Sequence, residues 1–307
     1  MMKYQKAVEK AKKERARDLH ASQAPAGAQD VLAVEVRPPV PDAEVPTIRE
    51  AAPAPLGPAP GPPAGGGWTP PVYRDARSAA CDPQVAAKHR CVCLRPDAPE
   101  QDYYKVLRTQ ISQRMNPKGW NMLMVTSVCP GEGKSLTAVN LALVFAKFHD
   151  RTVLLVDCDL RRQSVCRYLG LPRDRGIADY LIDGRELKEL IMWPRIEKMT
   201  LISGGRVTQD GAELLGSPRM RDLMAELKGR YADRFIIVDA PPILGGADTM
   251  VLAQYVDGIV VVVESGKTPL KQIQGAMELV PKEKFLGFVL NKHAEAGAVR
   301  YAYRAER

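Results

Sequence analysis

Residues 98–307 predict a doubly wound, mostly parallel α/β sheet, on three observations. Short apolar, β-branched runs alternate with helical stretches, the pattern of successive βαβ units. Most of these runs are apolar at nearly every position, as strands covered on both faces should be. Two of them end in aspartates and a third runs into a glycine-rich turn, which is how such a sheet presents polar groups at the carboxyl ends of its strands.

The predicted strands are Met122 to Ser127, Thr152 to Asp157, Met199 to Ser203, Phe235 to Asp239, Gly258 to Val263 and Leu286 to Asn291. Helices are expected over 100–114, 134–148, 217–229, 247–255 and 269–279. Upstream of this domain the composition changes. Residues 21–80 hold thirteen of the 25 prolines, with Ala51-Ala52-Pro53-Ala54-Pro55 and Gly65-Gly66-Gly67 among them. Such a segment has too little apolar surface to offset the entropy of folding, so 21–97 reads as a disordered linker. Before it, residues 1–20 read as a basic helix with Tyr4, Val8, Ala11 and Leu19 on a thin apolar face. No repeat of solenoid or propeller period is present.

The chain carries 44 basic and 36 acidic side chains. The first twenty residues hold seven basic and three acidic groups, so half of the net +8 sits there. With only +5 left over 98–307 (30 basic, 25 acidic), no nucleic-acid partner is expected, and the N-terminal charge suits an acidic lipid or protein surface. No run of about 18 apolar residues and no signal-peptide pattern occurs, so a cytoplasmic location is expected. Cys81, Cys91, Cys93, Cys129, Cys158 and Cys166 lack zinc or disulfide spacing and read as free thiols. His20, His89, His149 and His293 suggest no metal site or catalytic dyad.

The segment Ser127-Val128-Cys129-Pro130-Gly131-Glu132-Gly133-Lys134-Ser135 follows a strand and opens a helix, the context of a phosphate-binding loop. Gly131 and Gly133 let backbone N–H groups converge on phosphate, and the helix N-terminus adds positive potential. Lys134 reaches the outer phosphates and the Ser135 hydroxyl suits Mg²⁺. Pro130, Glu132 and Leu136 complete the nucleotide-binding stretch. Val128 stands where the usual pattern has its first glycine. Cys129 precedes a helix N-terminus, where a thiol pKa can fall, and its oxidation is expected to block nucleotide binding. The two acidic strand ends are Asp157-Cys158-Asp159-Leu160-Arg161 and Asp239-Ala240-Pro241-Pro242.

These three segments resemble the Walker A, A′ and B motifs of the bacterial tyrosine kinases of capsular and exopolysaccharide synthesis, cytoplasmic type. Glu213-Leu214-Leu215-Gly216-Ser217-Pro218-Arg219-Met220 and the Leu290-Asn291 strand end support the likeness, which covers 98–307. The fold it implies is the P-loop NTPase of the ParA/MinD-like, deviant Walker class. The resemblance implies ATP- and Mg²⁺-dependent autophosphorylation on tyrosine. Lys134 would bind phosphates, Ser135, Asp159 and Asp239 would hold Mg²⁺, Asp157 would take or orient the phenolic proton, and Asn291 would contact adenine. It also implies a membrane polysaccharide co-polymerase as activating partner, a peripheral place at the inner membrane through that partner, and a homo-oligomer. The family's Glu-x-x-Arg-x-x-Arg assembly helix is altered here to Asp102, Lys105 and Arg108, and lysine lacks the bidentate fork of arginine. The family's tyrosine cluster is reduced to Tyr301 and Tyr303 in the tail 292–307. The alternative is a ParA/MinD-like ATPase switch that positions a polysaccharide machine without phosphorylating tyrosine; the loop lacks the extra lysine of those proteins.

Overall fold

The computed structural model describes residues 76–148, 150–231 and 233–293. All of them fall in the second of the chain's two units, 57–307. The expected helix over 1–20, most of the expected linker, and Tyr301 and Tyr303 lie outside the described residues.

Eight strands form one sheet: β1 (Arg77–Ser78), β2 (Met122–Ser127), β3 (Thr152–Asp157), β4 (Met192–Trp193), β5 (Met199–Ile202), β6 (Arg234–Asp239), β7 (Gly258–Glu264) and β8 (Phe285–Asn291). Their order is β1-β4-β5-β3-β6-β2-β7-β8, with every neighbouring pair parallel except β4 and β5. All six residues of β2, β3 and β6 are buried, which is why their sequences do not alternate apolar with polar. Consecutive side chains enter different layers: Leu155 and Ile237 pack on one face with Phe145, while Leu154 and Ile236 pack on the other with Leu223. Phe145 and Phe235 stack at 4.2 Å across the first layer.

The helices are α1 (Pro83–Lys88), α2 (Gln101–Met115), α3 (Lys134–Phe145), α4 (Val165–Leu169), α5 (Ile177–Asp183), α6 (Leu187–Leu190), α7 (Gly211–Leu215), α8 (Pro218–Gly229), α9 (Asp248–Tyr255) and α10 (Leu270–Glu278). The six long strands and five long helices lie within three residues of their expected bounds. At α8, Ser217 caps the helix by accepting from the Met220 N–H at 3.2 Å, and Pro218 occupies the first position.

The expected linker is corrected at its C-terminal end. Residues 76–97 contribute β1, α1 and a 3₁₀ turn over Val92–Leu94, all joined to the sheet domain. Ala79 N–H donates to Trp193 O (3.1 Å), Cys93 N–H donates to Asn140 Oδ1 (3.0 Å), and Cys91 and Cys93 are buried. Two-residue strands and one-turn helices have no period to read, and only the partner surface makes them stable. All six cysteines are free thiols, as expected.

Gly176, before α5, pairs with Ser203, and a Cβ there would lie 2.0 Å from Ser203 O. Backbone must move to admit it, so Gly176→Ala is expected to lower stability by about 2–3 kcal/mol, read as a reduced urea midpoint at unchanged m-value.

Candidate nucleotide and phosphoryl-transfer site

Strand β2 delivers the loop at the carboxyl edge of the sheet, and α3 leaves it at Lys134. Gly131 and Gly133 have φ of 86° and 100°, left-handed values that favour glycine. At Gly133 a Cβ would also meet Asn291 Nδ2 at 2.1 Å. No side chain caps the N-terminus of α3, so its first N–H groups face the loop interior and suit an anion. Val128 is fully buried in one core layer, which accounts for a non-glycine residue at that position.

Glu132 shapes the loop from within. Its buried carboxylate accepts from the Cys129 N–H at 2.8 Å and from the Thr268 hydroxyl. Asn291 Nδ2 donates to Glu132 O at 2.8 Å, and Lys292 Nζ donates to Gly131 O at 2.7 Å while pairing with Glu264 at 3.0 Å. Asn291, expected at adenine, thus holds the loop backbone here. Losing a charge-assisted bond of this kind costs about 1.5–3 kcal/mol. Glu132→Ala is therefore expected to weaken Mg·ATP binding about 10-fold or more, measured by titration calorimetry.

Lys134 is buried between carboxylates, with Nζ 2.7 Å from Asp159 and 3.5 Å from Asp239. Burial alone would lower its pKa, but Asp239 and Asp159 outweigh that and hold it above the ordinary lysine value. Asp157 accepts from the N–H groups of Asp159 (3.2 Å), Ser164 (3.1 Å) and Val165 (3.2 Å), which ties the A′ turn together. Burial and the nearby Asp239 push its carboxyl up to about 7, against the pull of Lys134. Asp239 is raised as well, chiefly by burial.

Both oxygens of Asp239 are buried without a hydrogen-bond partner. Oδ1 faces the Lys134 ammonium only at 3.5 Å, so these oxygens, beside the Ser135 hydroxyl and Asp159, fit a Mg²⁺ bound mainly through water and phosphate. Among the described residues no three His, Cys, Asp or Glu side chains form a metal cage, and Mg²⁺ at a phosphate site does not require one.

A cavity of about 460 Å³ opens here. Pro130, Gly131, Lys134 and Ser135 line it from the loop, and Asp159 from the A′ turn. Arg161, Arg162, Arg167 and Arg173 also line it, and of these only Arg161 belongs to the predicted A′ segment. The signal for the others was legible, because residues 161–175 carry five arginines and one acid, Asp174. Asp157 lies buried behind this wall and Leu136 packs against the core.

One expectation changes. The Cys129 thiol is pushed up, by burial and then by Glu132, so its loop position does not activate it. The residues of the expected assembly helix also make contacts within their own chain: Lys105 pairs with Asp102 at 2.8 Å, while Arg108 Nη1 donates to Val144 O at 2.8 Å and its guanidinium lies 4.2 Å from the Phe148 ring centre.

Comparison with known proteins agrees with this geometry. The sequence profile of the ParA family, described as NUBPL iron-transfer P-loop NTPase, matches residues 119–295. Tyrosine-protein kinase YwqD of Bacillus subtilis is 35% identical over 209 residues, 66% of this chain and 87% of that protein. The putative tyrosine-protein kinase EpsB of Ralstonia solanacearum is 32% identical over 179 residues, which are 58% of this chain but 24% of that longer protein. The kinase domain of Escherichia coli tyrosine kinase ETK superposes with a TM-score of 0.63 at 25% identity, covering 76% of this chain and 94% of that domain. A lysine held between A′ and B carboxylates at an uncapped helix start, in a chain that spans most of a tyrosine kinase at this identity, leads to one assignment: the chain belongs to the bacterial tyrosine-protein kinases of the capsular and exopolysaccharide type, within the ParA/MinD-like P-loop fold.

Proposed function

We propose that this kinase transfers the terminal phosphoryl group of Mg·ATP to tyrosine, its own Tyr301 and Tyr303 included, and thereby regulates exopolysaccharide or capsule polymerisation and export. The observation that carries this reading is Lys134 poised between Asp159 and Asp239 beside the open N-terminus of α3. Phosphoryl transfer needs positioning and charge neutralisation more than covalent chemistry, and the site supplies both. Glycine-shaped backbone and the α3 N–H groups bind the phosphates. Lys134 exchanges its carboxylate partners for phosphate oxygens. When bound, Mg²⁺ neutralises charge on the phosphates, with Ser135, Asp159 and Asp239 holding it directly or through water.

The phenolic oxygen forms a bond to the terminal phosphorus as the bond from that phosphorus to the bridging oxygen breaks, and ADP leaves. Asp157 takes the phenolic proton, for which a carboxyl held near 7 is suited. Its Oδ1 accepts from the Asp159 N–H and its Oδ2 from those of Ser164 and Val165, so a lone pair on Oδ1 is left for the phenolic proton.

Among the described residues no helix is long and apolar enough to cross a membrane. The resemblance supports recruitment from the cytoplasm to the inner membrane by a polysaccharide co-polymerase, and assembly as a homo-oligomer. The test is to incubate the full chain with Mg·ATP, map phosphotyrosine by mass spectrometry and measure phosphate release in parallel. Modified tyrosine is the expected result. Phosphate release without it would favour the ATPase switch.

A further inference from the structure

We infer that Arg162, Arg167 and Arg173 form an acceptor subsite beside the nucleotide, selecting a tyrosine embedded in an acidic peptide segment. This deepens the kinase reading above and rests on it. All three side chains are exposed and line the same cavity as Gly131, Lys134 and Ser135. Carboxylates nearby are already engaged: Asp174 by Arg77 at 2.5 Å, Asp248 by Arg161 at 3.4 Å, Glu189 by Arg175 at 3.3 Å and Asp159 by Lys134 at 2.7 Å. Among the described residues Arg162, Arg167 and Arg173 have no ion pair; Arg167 is oriented by a bond to Ser164 Oγ (3.1 Å) and by the Tyr168 ring 5.2 Å away.

The surplus charge sits away from the edge of the sheet where Asn291 ends β8. These arginines follow β3, which lies on one side of β2, whereas β7 and β8 lie on the other. The loop, the start of α3 and Lys134 already supply counter-charge for a triphosphate. Three further guanidiniums beyond Asp159 call for a second anion, and their planar forks match carboxylates. An acidic segment entering from this side would bring its tyrosine toward the A′ carboxylates. The chain's own tail fits this wall less well, because Arg300 and Arg304 flank Tyr301 and Tyr303.

The test compares the full-length parent with a variant combining Arg162→Gln, Arg167→Gln and Arg173→Gln. Substrates are a glutamate-flanked tyrosine peptide and a peptide of residues 294–307. Three exposed charge pairs together amount to about a factor of 10. The variant is expected to raise KM for the acidic peptide about 10-fold and flatten its salt dependence, with the KM of the tail peptide and the Kd of Mg·ATP moving less than twofold. Unchanged KM for the acidic peptide would overturn the proposal. So would a Kd for Mg·ATP that weakens as much as KM, since the arginines would then serve the triphosphate. If the parent phosphorylates neither peptide, the subsite is decided by fluorescence anisotropy with the acidic peptide carrying Phe in place of Tyr; the kinase reading itself fails only if the chain's own tyrosines also stay unmodified. Binding by the Mg·ATP-loaded parent that the variant loses upholds it; no binding by the parent overturns it.

Discussion

A Lys134→Met variant is expected to lose about 10²–10³-fold in tyrosine phosphorylation, because the buried ammonium proposed to neutralise the phosphates is gone. A fold-level consequence should accompany it. Lys134 is the cation 2.7 Å from Asp159 and 3.5 Å from Asp239, and Asp157 lies buried beside them. Removing one partner of a buried ion pair costs about 3–5 kcal/mol, since the charge left behind has no compensation. The sign with pH follows. Without Lys134 the raised carboxyls of Asp157 and Asp239 lose the charge that pulls them down and rise further above their unfolded values, so the native state binds more protons than the unfolded one and stability falls as pH rises above about 4. Urea denaturation at pH 5 and pH 8 reads this directly: the deficit against the parent should be larger at pH 8. Phosphorylation at the parent rate would reject the proposed mechanism.

The Asp157→Asn variant has the next largest expected effect, a loss of about 10²-fold or more in kcat. In the parent, the carboxyl of Asp157 is raised to about 7 by burial and by Asp239. An acid raised in the folded state removes stability once it ionises, so the contribution of this group declines from about pH 4 to about pH 7. Asparagine abolishes that decline, at the cost of setting an amide donor against at least one of the three N–H groups that Asp157 now accepts. Proton acceptance has its own readout: kcat of the parent should fall toward acid pH and the residual kcat of the variant should not. A variant that keeps the parental limb would leave Asp157 as a positioning residue of the A′ turn.

Most of the proposed catalytic set is legible in the sequence because it depends on local chain geometry. Gly131 and Gly133, then Lys134 and Ser135 opening α3, can be read from a strand, a turn and a helix in succession. Asp157 and Asp239 end strands that are apolar throughout, and the pairing of β3 with β6 brings them side by side. The buttresses were not legible in the same way. Lys292 and Thr268 reach the loop from more than 130 residues away, through the side chain of the one and a bond to Glu132 from the other. Asn291 was singled out, but its bond to the backbone of Glu132 is set by the position of β8. Likewise β1, β4 and α1 exist only because neighbouring edges and surfaces accept them, and a composition rich in proline just upstream hid their start.

The sheet class, the order of the long elements and the loop with its two carboxylate strands are written locally in the chain, since periodicity and glycine placement act over a few residues. Which groups share an environment is set by folding, and it is not visible in the order of the residues. Folding raised Asp157 by burying it near Asp239, engaged Arg108 inside its own chain, and brought Arg162, Arg167 and Arg173 to the wall of the phosphate cavity without a carboxylate of their own. Charge, burial and pairing are set by distance through space, and distance through space is what the fold supplies.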